Sequence, residues 1–268
     1  MNLINIGIAG CLGRMGRELV LRSIDDKRTD FSSGFENKDH KFINKNLSDI
    51  FDCQTNKTVN SDAATVFKSS DVVIDFTTPQ STLNNIELAE KTKTPLVIGT
   101  TGLTKEILEK IKNTSLNVPI LQSYNMSLAV NLLFNLVEKS SSLLDESNYD
   151  IEISETHHKH KVDAPSGTAI KLGEIASSAR KKEFDSVKVF DRTKKNQERK
   201  NGEIGFSVLR GGEISGEHTI SFIGENDRID LTHKAFNRSI FAKGAIQAAI
   251  FLSDKKEGLY SMEDVIKD

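Results

Sequence analysis

The sequence predicts an α/β protein that contains a doubly wound parallel sheet and a second α+β domain with a mostly antiparallel sheet. Two patterns predict it. In the first half of the chain, short runs that are apolar on both faces alternate with helical segments, which is typical of parallel strands covered by helices. Later runs alternate apolar and polar residues with a period of two, which is typical of strands with one exposed face.

The first half begins with a buried strand, Ile4–Ala9, followed by a turn with three glycines and a helix that starts near Arg14. A second strand is expected to end at residue 35. Further strands are predicted at residues 71–76, 95–99 and 118–121, and helices at residues 81–92 and after the N-cap residue Thr104. This alternation of strands and helices predicts a parallel, doubly wound sheet.

The second half begins after an amphipathic helix at residues 128–144. Half-exposed strands are predicted at residues 149–155, 205–209, 218–222 and 228–232, with one helix, residues 168–180, across the sheet. Residues 192–202 contain no apolar residue and are predicted to form a mobile loop. An apolar helix follows at residues 240–252, and the sequence leaves open whether it returns to the first domain.

The composition excludes several classes of protein. The 268 residues include 36 Lys and Arg against 38 Asp and Glu, a formal net charge of −2. This balance gives no reason to expect binding to nucleic acid or to a membrane surface. Two cysteines cannot build a disulfide framework, and no apolar run approaches the ~18 residues of a membrane span. Since no cationic leader precedes the first strand, we expect a cytoplasmic protein.

The glycine turn predicts a dinucleotide site. Gly10, Gly13 and Gly16 lie between a buried strand and a helix, where glycines allow a tight turn and a close approach of the pyrophosphate to the helix N-terminus. Such a site also needs an acid after the second strand to accept the ribose hydroxyls, and Glu36 is in that position. These features make the first domain Rossmann-like. A glycine turn with a purely steric role is the alternative.

A second cluster lies at the end of the strand predicted at residues 149–155. Three histidines and two lysines fall within residues 157–161, and their mutual repulsion suggests that they bind an anion or take part in acid catalysis. The segment Pro165-Ser166-Gly167-Thr168 then opens a helix whose first N–H groups can bind a carboxylate or phosphate. A metal site is one alternative, although the flanking lysines disfavour a cation. A solvated basic strand end is the other.

Three further residues near these motifs are interpreted as packing residues. Cys11 lies in the glycine turn with no base near it in the sequence, so a small residue chosen for fit explains it better than a catalytic thiol. The side chains of Met15 and Met126 are expected to fill space.

Taken together, these residues resemble the dihydrodipicolinate reductase family, the 4-hydroxy-tetrahydrodipicolinate reductases of the diaminopimelate route to lysine. The resemblance runs nearly end to end and lies in residues 10–16 (GCLGRMG), 75–77 (DFT), 99–102 (GTTG), 155–168 (ETHHKHKVDAPSGT) and 216–219 (GEHT). It implies a nucleotide domain at residues 1–127 and 238–268 and a substrate-binding and tetramerisation domain at residues 128–237. It further implies a homotetramer, a cyclic dicarboxylate substrate, NADH or NADPH as cofactor, and no metal.

The resemblance also implies roles for individual residues. His157 and Lys161 are the expected catalytic pair, and His158, Gly167 and Thr168 are expected to hold the carboxylates of the substrate. The expected contacts to the nucleotide are Gly10, Cys11, Leu12, Gly13, Arg14, Met15, Glu36, Gly99, Thr100, Thr101, Ser123, Tyr124, Asn125 and Met126.

The sequence departs from the common family pattern where the nucleotide would bind. Many members have Arg directly after the ribose acid, whereas this chain has Asn37; many have Arg where it has Thr78, and Phe where it has Met126. An uncharged Asn37 beside Glu36 favours NADH, because a carboxylate repels the 2′-phosphate of NADPH. Lys38 or Lys41 could still allow use of NADPH.

Two competing functions share part of this pattern. A dehydrogenase of another amino-acid intermediate, such as an aspartate or homoserine enzyme, would explain the glycine turn but not the cluster at residues 157–161. A non-catalytic nucleotide sensor would be expected to lose its proton donors, yet His157 and Lys161 are both present.

Overall fold

The protein is described here by a computed structural model that covers residues 3–193 and 197–268. The strands are β1 (Ile4–Ala9), β2 (Thr29–Phe35), β3 (Val59–Asn60), β4 (Val72–Asp75), β5 (Leu96–Ile98), β6 (Pro119–Gln122), β7 (Asp150–His157), β8 (Lys188–Val189), β9 (Ile204–Arg210), β10 (Gly216–Ile223), β11 (Arg228–Ala235) and β12 (Gly258–Tyr260). The helices are α1 (Arg14–Asp25), α2 (Ala63–Lys68), α3 (Pro79–Thr92), α4 (Lys105–Thr114), α5 (Leu128–Leu143), α6 (Gly167–Ala179), α7 (Phe184–Val187), α8 (Ser239–Leu252) and α9 (Met262–Lys267).

The chain forms two compact units. The first contains Met1–Leu128 and Ser239–Asp268, and the second contains Ala129–Arg238. The helix left unassigned by the sequence, α8, therefore belongs to the first unit. Within the described ranges, no helix is both long and apolar enough to cross a membrane.

The first unit is built on a seven-stranded parallel sheet in the order β12-β6-β5-β4-β1-β2-β3. The chain leaves β1 toward β2 on one side and later returns to β4 on the other, so the strand order reverses between β1 and β4. Ligands of doubly wound sheets bind outside the carboxyl ends of the strands at this point. The predicted fold class is confirmed.

Both faces of the sheet are buried at its central strands β1, β4 and β5, which explains why these strands are mostly apolar. On one face, α1 and α8 pack against Ile6, Ile8 and Val72. On the other face, α2, α3 and α4 pack against Val73 and Leu96. Several helices begin where the sequence provides a cap: Thr78 caps α3 ahead of Pro79, and Thr104 caps α4 as predicted.

The second unit is built on a mixed five-stranded sheet in the order β11-β10-β7-β9-β8. Strand β10 is antiparallel to both of its neighbours, β7 and β11, whereas β9 is parallel to the central strand β7 and to β8. One face packs against α5 and α6 through an apolar core to which these helices contribute Leu133, Val137, Ala169, Leu172 and Ala176. The other face presents polar side chains, so the period-two pattern of these strands has the expected physical cause.

Several short elements were not predicted. These are β3, α2, α7, β8, β12 and α9. A strand of two or three residues, or a helix of one or two turns, is too short to show a period. For α9 a local signal exists, since Ser261 and Asp264 form a capping box. The predicted loop at residues 192–202 includes residues 194–196, which lie outside the described residues. Its described part is anchored by Arg192 and Arg199, which both form ion pairs with Glu152.

Candidate active site

The glycine turn of the first unit closes tightly after β1. Gly10 has φ +65°, a conformation that favours glycine, and the N–H of Gly13 donates to its carbonyl at 3.0 Å. A Cβ on Gly16 would lie 2.0 Å from the Gly10 carbonyl oxygen, so only glycine allows this contact. Gly13 is the N-cap of α1 and has no side chain with which to cap it, which leaves N–H groups of the first turn available to an anion.

Glu36 lies beside this turn, as the sequence predicts. Its Oε1 accepts from the N–H of Leu12 at 3.4 Å, and its Oε2 accepts from the N–H of Asn37 at 3.1 Å. Because the carboxylate comes directly after β2 and faces the glycine turn, it is positioned to accept hydrogen bonds from a ribose. The turn and the acid together fit an adenine dinucleotide.

The loops after β4 and β5 are tied together by the buried carboxylate of Asp75. This carboxylate accepts from the N–H and hydroxyl of Thr77 at 2.9 and 2.6 Å, from Asn85 at 3.0 Å and from the hydroxyl of Thr100 at 3.3 Å. Thr77 in turn lies against the glycine turn, since its methyl group would be 2.8 Å from a Cβ on Gly10. The carboxyl ends of β1, β4 and β5 therefore meet, as the parallel sheet requires.

Gly99, Thr101 and Ser123 to Met126 complete the predicted nucleotide contacts. A Cβ on Gly99 would lie 2.3 Å from the ring of Phe76, so Gly99 makes room for that ring. The N–H of Ser123 donates to the carbonyl of Ile98 at 3.1 Å, which brings the loop after β6 beside the loop after β5. Thr101 and Tyr124 are exposed, whereas the side chain of Met126 is in the core. This burial supports the interpretation of Met126 as a packing residue.

Cys11 has no access to solvent. Its thiol packs against Gly34, where a Cβ would lie 2.9 Å from Sγ. Burial, and secondarily the charge of Glu36, raises the pKa of Cys11 to about 12. At neutral pH the residue is a protonated thiol and not a nucleophile, which supports its interpretation as a packing residue.

His157 is the last residue of β7 and is buried. Its Nδ1 lies 2.5 Å from Oε2 of Glu155, so Nε2 is the ring nitrogen left to face a ligand. Gly216 keeps this side open, because a Cβ there would be only 3.0 Å from Nε2. Burial lowers the pKa of His157, Lys161 and Arg210 lower it further, and Glu155 opposes them. A bound dicarboxylate would raise that pKa again and favour the charged imidazolium.

Lys161 follows His157 by four residues. Its Nζ lies 2.8 Å from Oδ1 of Asp163, and this contact lowers the pKa of Asp163. Lys159 and His160 point elsewhere, since both approach Glu213, at 3.7 and 3.9 Å, and both are largely exposed. Among these four residues, His157 is buried and Lys161 is half-buried, whereas Lys159 and His160 are exposed.

The N-terminus of α6 lies close to His157 and Lys161. Ser166 caps the helix by accepting from the N–H of Ala169, and its backbone N–H donates to Oε1 of Glu155 at 2.9 Å. Apart from its chain neighbours and the backbone of its own helix, no described atom lies within 4 Å of the position that a Cβ of Gly167 would take. The N–H groups of Gly167 and Thr168 are thus open to a carboxylate.

Two more histidines surround the site. His218 is buried, lies 2.9 Å from the Ser166 hydroxyl through Nε2, and contacts the His157 ring edge to face at 5.0 Å. Burial lowers the pKa of His218 to about 3, so it stays neutral. Nδ1 of His158 is buried with no hydrogen-bond partner among the described residues. Within the same residues, no group of three His, Cys, Asp or Glu side chains is arranged to hold a metal ion.

Four residues around His157 have no role that was expected from the sequence: Glu155, Ser166, Arg210 and His218. One signal could have revealed Glu155: the inward phase of β7 contains Ile151, Ile153, Glu155 and His157. A carboxylate in that phase needs a partner, because an unpaired buried charge is costly. Arg210 gave no signal, since its partner lies 55 residues away.

Comparison with known proteins covers both units. The sequence model for the N-terminus of dihydrodipicolinate reductase matches residues 4–126, and that for the C-terminus matches residues 129–266. A 4-hydroxy-tetrahydrodipicolinate reductase from Wolbachia sp. subsp. Drosophila simulans (strain wRi) is 43% identical over 266 residues, 98% of this chain and 99% of the relative. That of Polynucleobacter necessarius subsp. necessarius (strain STIR1) is 40% identical over 263 residues, 98% of each chain.

A solved structure shares the fold. The dipicolinate-bound dihydrodipicolinate reductase from Paenisporosarcina sp. TG-14 superposes with a TM-score of 0.77 at 24% identity, covering 97% of this chain and 98% of the other.

Proposed function

The chain belongs to the dihydrodipicolinate reductase family of pyridine-nucleotide oxidoreductases, and we propose that it reduces 4-hydroxy-tetrahydrodipicolinate to tetrahydrodipicolinate in the diaminopimelate route to lysine. The observation that carries the proposal is the buried His157 and the half-buried Lys161 beside the open N-terminus of α6. This arrangement joins a proton donor to groups that bind carboxylates, as a dicarboxylate substrate requires.

The reaction consumes one reduced nucleotide and one proton and releases water. Loss of the 4-hydroxyl as water leaves a conjugated C=C–C=N system, and a hydride adds to it. The reduced nicotinamide bound by the first unit supplies this hydride. Negative charge then builds on the ring, and a proton neutralises it. His157 supplies that proton from Nε2. Proton transfer from a positioned side chain typically accelerates such a step by roughly 10²-fold to 10⁴-fold.

The remaining residues bind and orient the substrate. Lys161 neutralises one carboxylate, while His158 and the N–H groups of Gly167 and Thr168 hold the carboxylates in place. Because these groups surround His157, substrate binding brings negative charge to the imidazole and favours its protonated form. We therefore expect His157 to become protonated when the substrate binds.

The dinucleotide would bind to residues of the first unit. Gly10, Gly13 and the N-terminus of α1 would hold the pyrophosphate, and Glu36 would accept the ribose hydroxyls. The loops at Gly99 to Thr101 and Ser123 to Met126 would line the same cleft from β5 and β6.

We expect a preference for NADH over NADPH. The Glu36 carboxylate beside the uncharged Asn37 repels a 2′-phosphate, although Lys38 or Lys41 allows some use of NADPH. Steady-state kinetics with both nucleotides measures the preference. A kcat/KM at least tenfold higher with NADPH would contradict it.

A matched pair of variants attributes the preference to Glu36. In Glu36→Gln the kcat/KM for NADPH should rise relative to that for NADH, because the repelling charge is gone. The control is Asp39→Gln, which removes a nearby exposed carboxylate and should leave the ratio unchanged.

The proposal includes a homotetramer assembled through the second unit. The face of its sheet away from α5 and α6 offers exposed Ser154, Ser207 and Leu209 to another copy. Light scattering at micromolar concentration should give about four times the 29.7 kDa of one chain. A monomer at all concentrations would contradict the assembly.

The test of the proposed function is absorbance at the NADH band with the product of the preceding synthase as substrate. Oxidation of NADH that depends on this substrate is the expected result. Tight NADH binding without turnover would instead favour the nucleotide sensor.

A further inference from the structure

A single buried carboxylate connects the parts of the candidate site in the second unit. Oε2 of Glu155 lies 2.5 Å from Nδ1 of His157, and Oε1 accepts from the backbone N–H of Ser166 at 2.9 Å. Arg210 binds both oxygens, with Nη1 at 2.8 Å from Oε2 and Nη2 at 2.8 Å from Oε1. The Glu155 side chain is 1% exposed, so these contacts replace its hydration.

The contacts come from three separate parts of the chain. His157 ends β7, Ser166 caps α6, and Arg210 ends β9. Arg210 is itself fixed, because Nη2 also donates to the carbonyl of Asp163 at 2.7 Å. The carboxylate therefore sets the position of the acid relative to the helix end that binds carboxylates.

We propose that Glu155, held by Arg210, is the positioning residue of this active site, because one carboxylate orients both the His157 imidazole and the N-terminus of α6. The proposal rests on the proposed function. Glu155 acts through His157 and Ser166, and we assign it no contact with the substrate.

The charged groups around His157 make the role of Glu155 measurable through the pKa of His157. Four groups face the imidazole: Glu155 favours its charged form, Lys161 and Arg210 oppose it, and His218 stays neutral. Arg210 partly cancels the charge of Glu155, so orientation and charge both contribute. Removing the carboxylate leaves the cations unopposed and lowers the pKa of His157 further.

The main test is Glu155→Gln, which keeps the shape of the side chain. A neutral amide has one acceptor oxygen in place of two, so it cannot satisfy His157, Ser166 and Arg210 together. We expect kcat to fall at least tenfold and the affinity for dipicolinate, a planar dicarboxylate probe, to fall at least threefold. The pH at which His157 titrates in the dipicolinate complex, measured by NMR, should fall by about one unit.

The matched control is Glu152→Gln on the same strand. Glu152 also binds two arginines, Arg192 and Arg199, but it lies in the other phase of β7. This variant should keep the wild-type kcat, dipicolinate affinity and His157 titration.

A second variant keeps the test valid if Glu155→Gln does not fold. Arg210→Lys retains the positive charge but cannot bridge both oxygens of Glu155. We expect at least threefold weaker dipicolinate binding and at least fivefold lower kcat, with NADH binding unchanged.

The proposal is overturned if folded Glu155→Gln keeps kcat within twofold and His157 titrates as in the wild type. It is also overturned if, in the absence of a folded Glu155→Gln, Arg210→Lys binds dipicolinate and turns over like the wild type. Failure of the proposed function is separate: the wild type would then not oxidise NADH with the substrate, while dipicolinate binding and the titration would still test Glu155.

Discussion

Replacing His157 by Gln lowers kcat more than tenfold while NADH still binds. Glutamine fills similar space and can accept a hydrogen bond, but it has no proton to give at neutral pH. Loss of a positioned proton donor typically costs roughly 10²-fold to 10⁴-fold in rate. The measurement is steady-state NADH oxidation, with NADH affinity determined separately by fluorescence. Since the nucleotide is expected to bind the first unit, its affinity should not change.

The control for this variant is His160→Gln. His160 lies three residues away in the same basic cluster, but its side chain is 68% exposed and approaches only Glu213 among the charged groups described. We expect wild-type turnover from it. Near-normal kcat in His157→Gln would remove His157 from the mechanism.

The same role of His157 predicts the direction in which the kcat of the wild type changes with pH. A general acid acts in its protonated form, so kcat should decline as the pH rises through the pKa of His157 in the substrate complex. Burial lowers that pKa in the free protein, and the carboxylates of the substrate raise it. The free protein should therefore bind a proton as it binds dipicolinate, which calorimetry in buffers of different ionisation enthalpy detects.

Replacing Lys161 by Ala is the second variant with a large expected effect. It removes a side chain that is 20% exposed at the site and whose ammonium would neutralise a carboxylate of the substrate. We expect kcat to fall more than tenfold and KM for the substrate to rise, because Lys161 stabilises both the bound substrate and the charge that builds on the ring. NADH affinity should be unchanged.

Lys159→Ala is the matched control for this change. The Lys159 ammonium is 3.7 Å from Glu213, and the Lys159 side chain is 61% exposed. The variant therefore loses only a surface ion pair, which contributes little to stability. Equal losses of activity in the two variants would show that the site responds to general positive charge. Wild-type turnover in Lys161→Ala would exclude it from catalysis.

The sequence predicts the first unit well because its signals are local. The glycine turn, the Thr104 cap and the apolar strands each act over a few residues, and the structure has strands and helices at these places. Glu36 was predicted beside the glycine turn, and its contact with Leu12 places it there.

The hydrogen bonds around His157 could not be predicted from the sequence, because they join residues that are far apart in the chain. Arg210 reaches Glu155 across 55 residues, and His218 reaches Ser166 across 52. No periodicity encodes which strand lies beside β7, and without that neighbour the partner of a buried carboxylate cannot be named. The inward phase of Glu155 was the one local clue.

The most direct measurement of the central claim follows the hydrogen itself. The protein is supplied with NADH that carries deuterium at both C4 positions of the nicotinamide, together with the product of the preceding synthase, and the reduced product is analysed by mass spectrometry. We expect one deuterium in each product molecule, bound to carbon. A product without deuterium, formed while NADH is oxidised, would contradict direct hydride transfer to a dicarboxylate held beside His157.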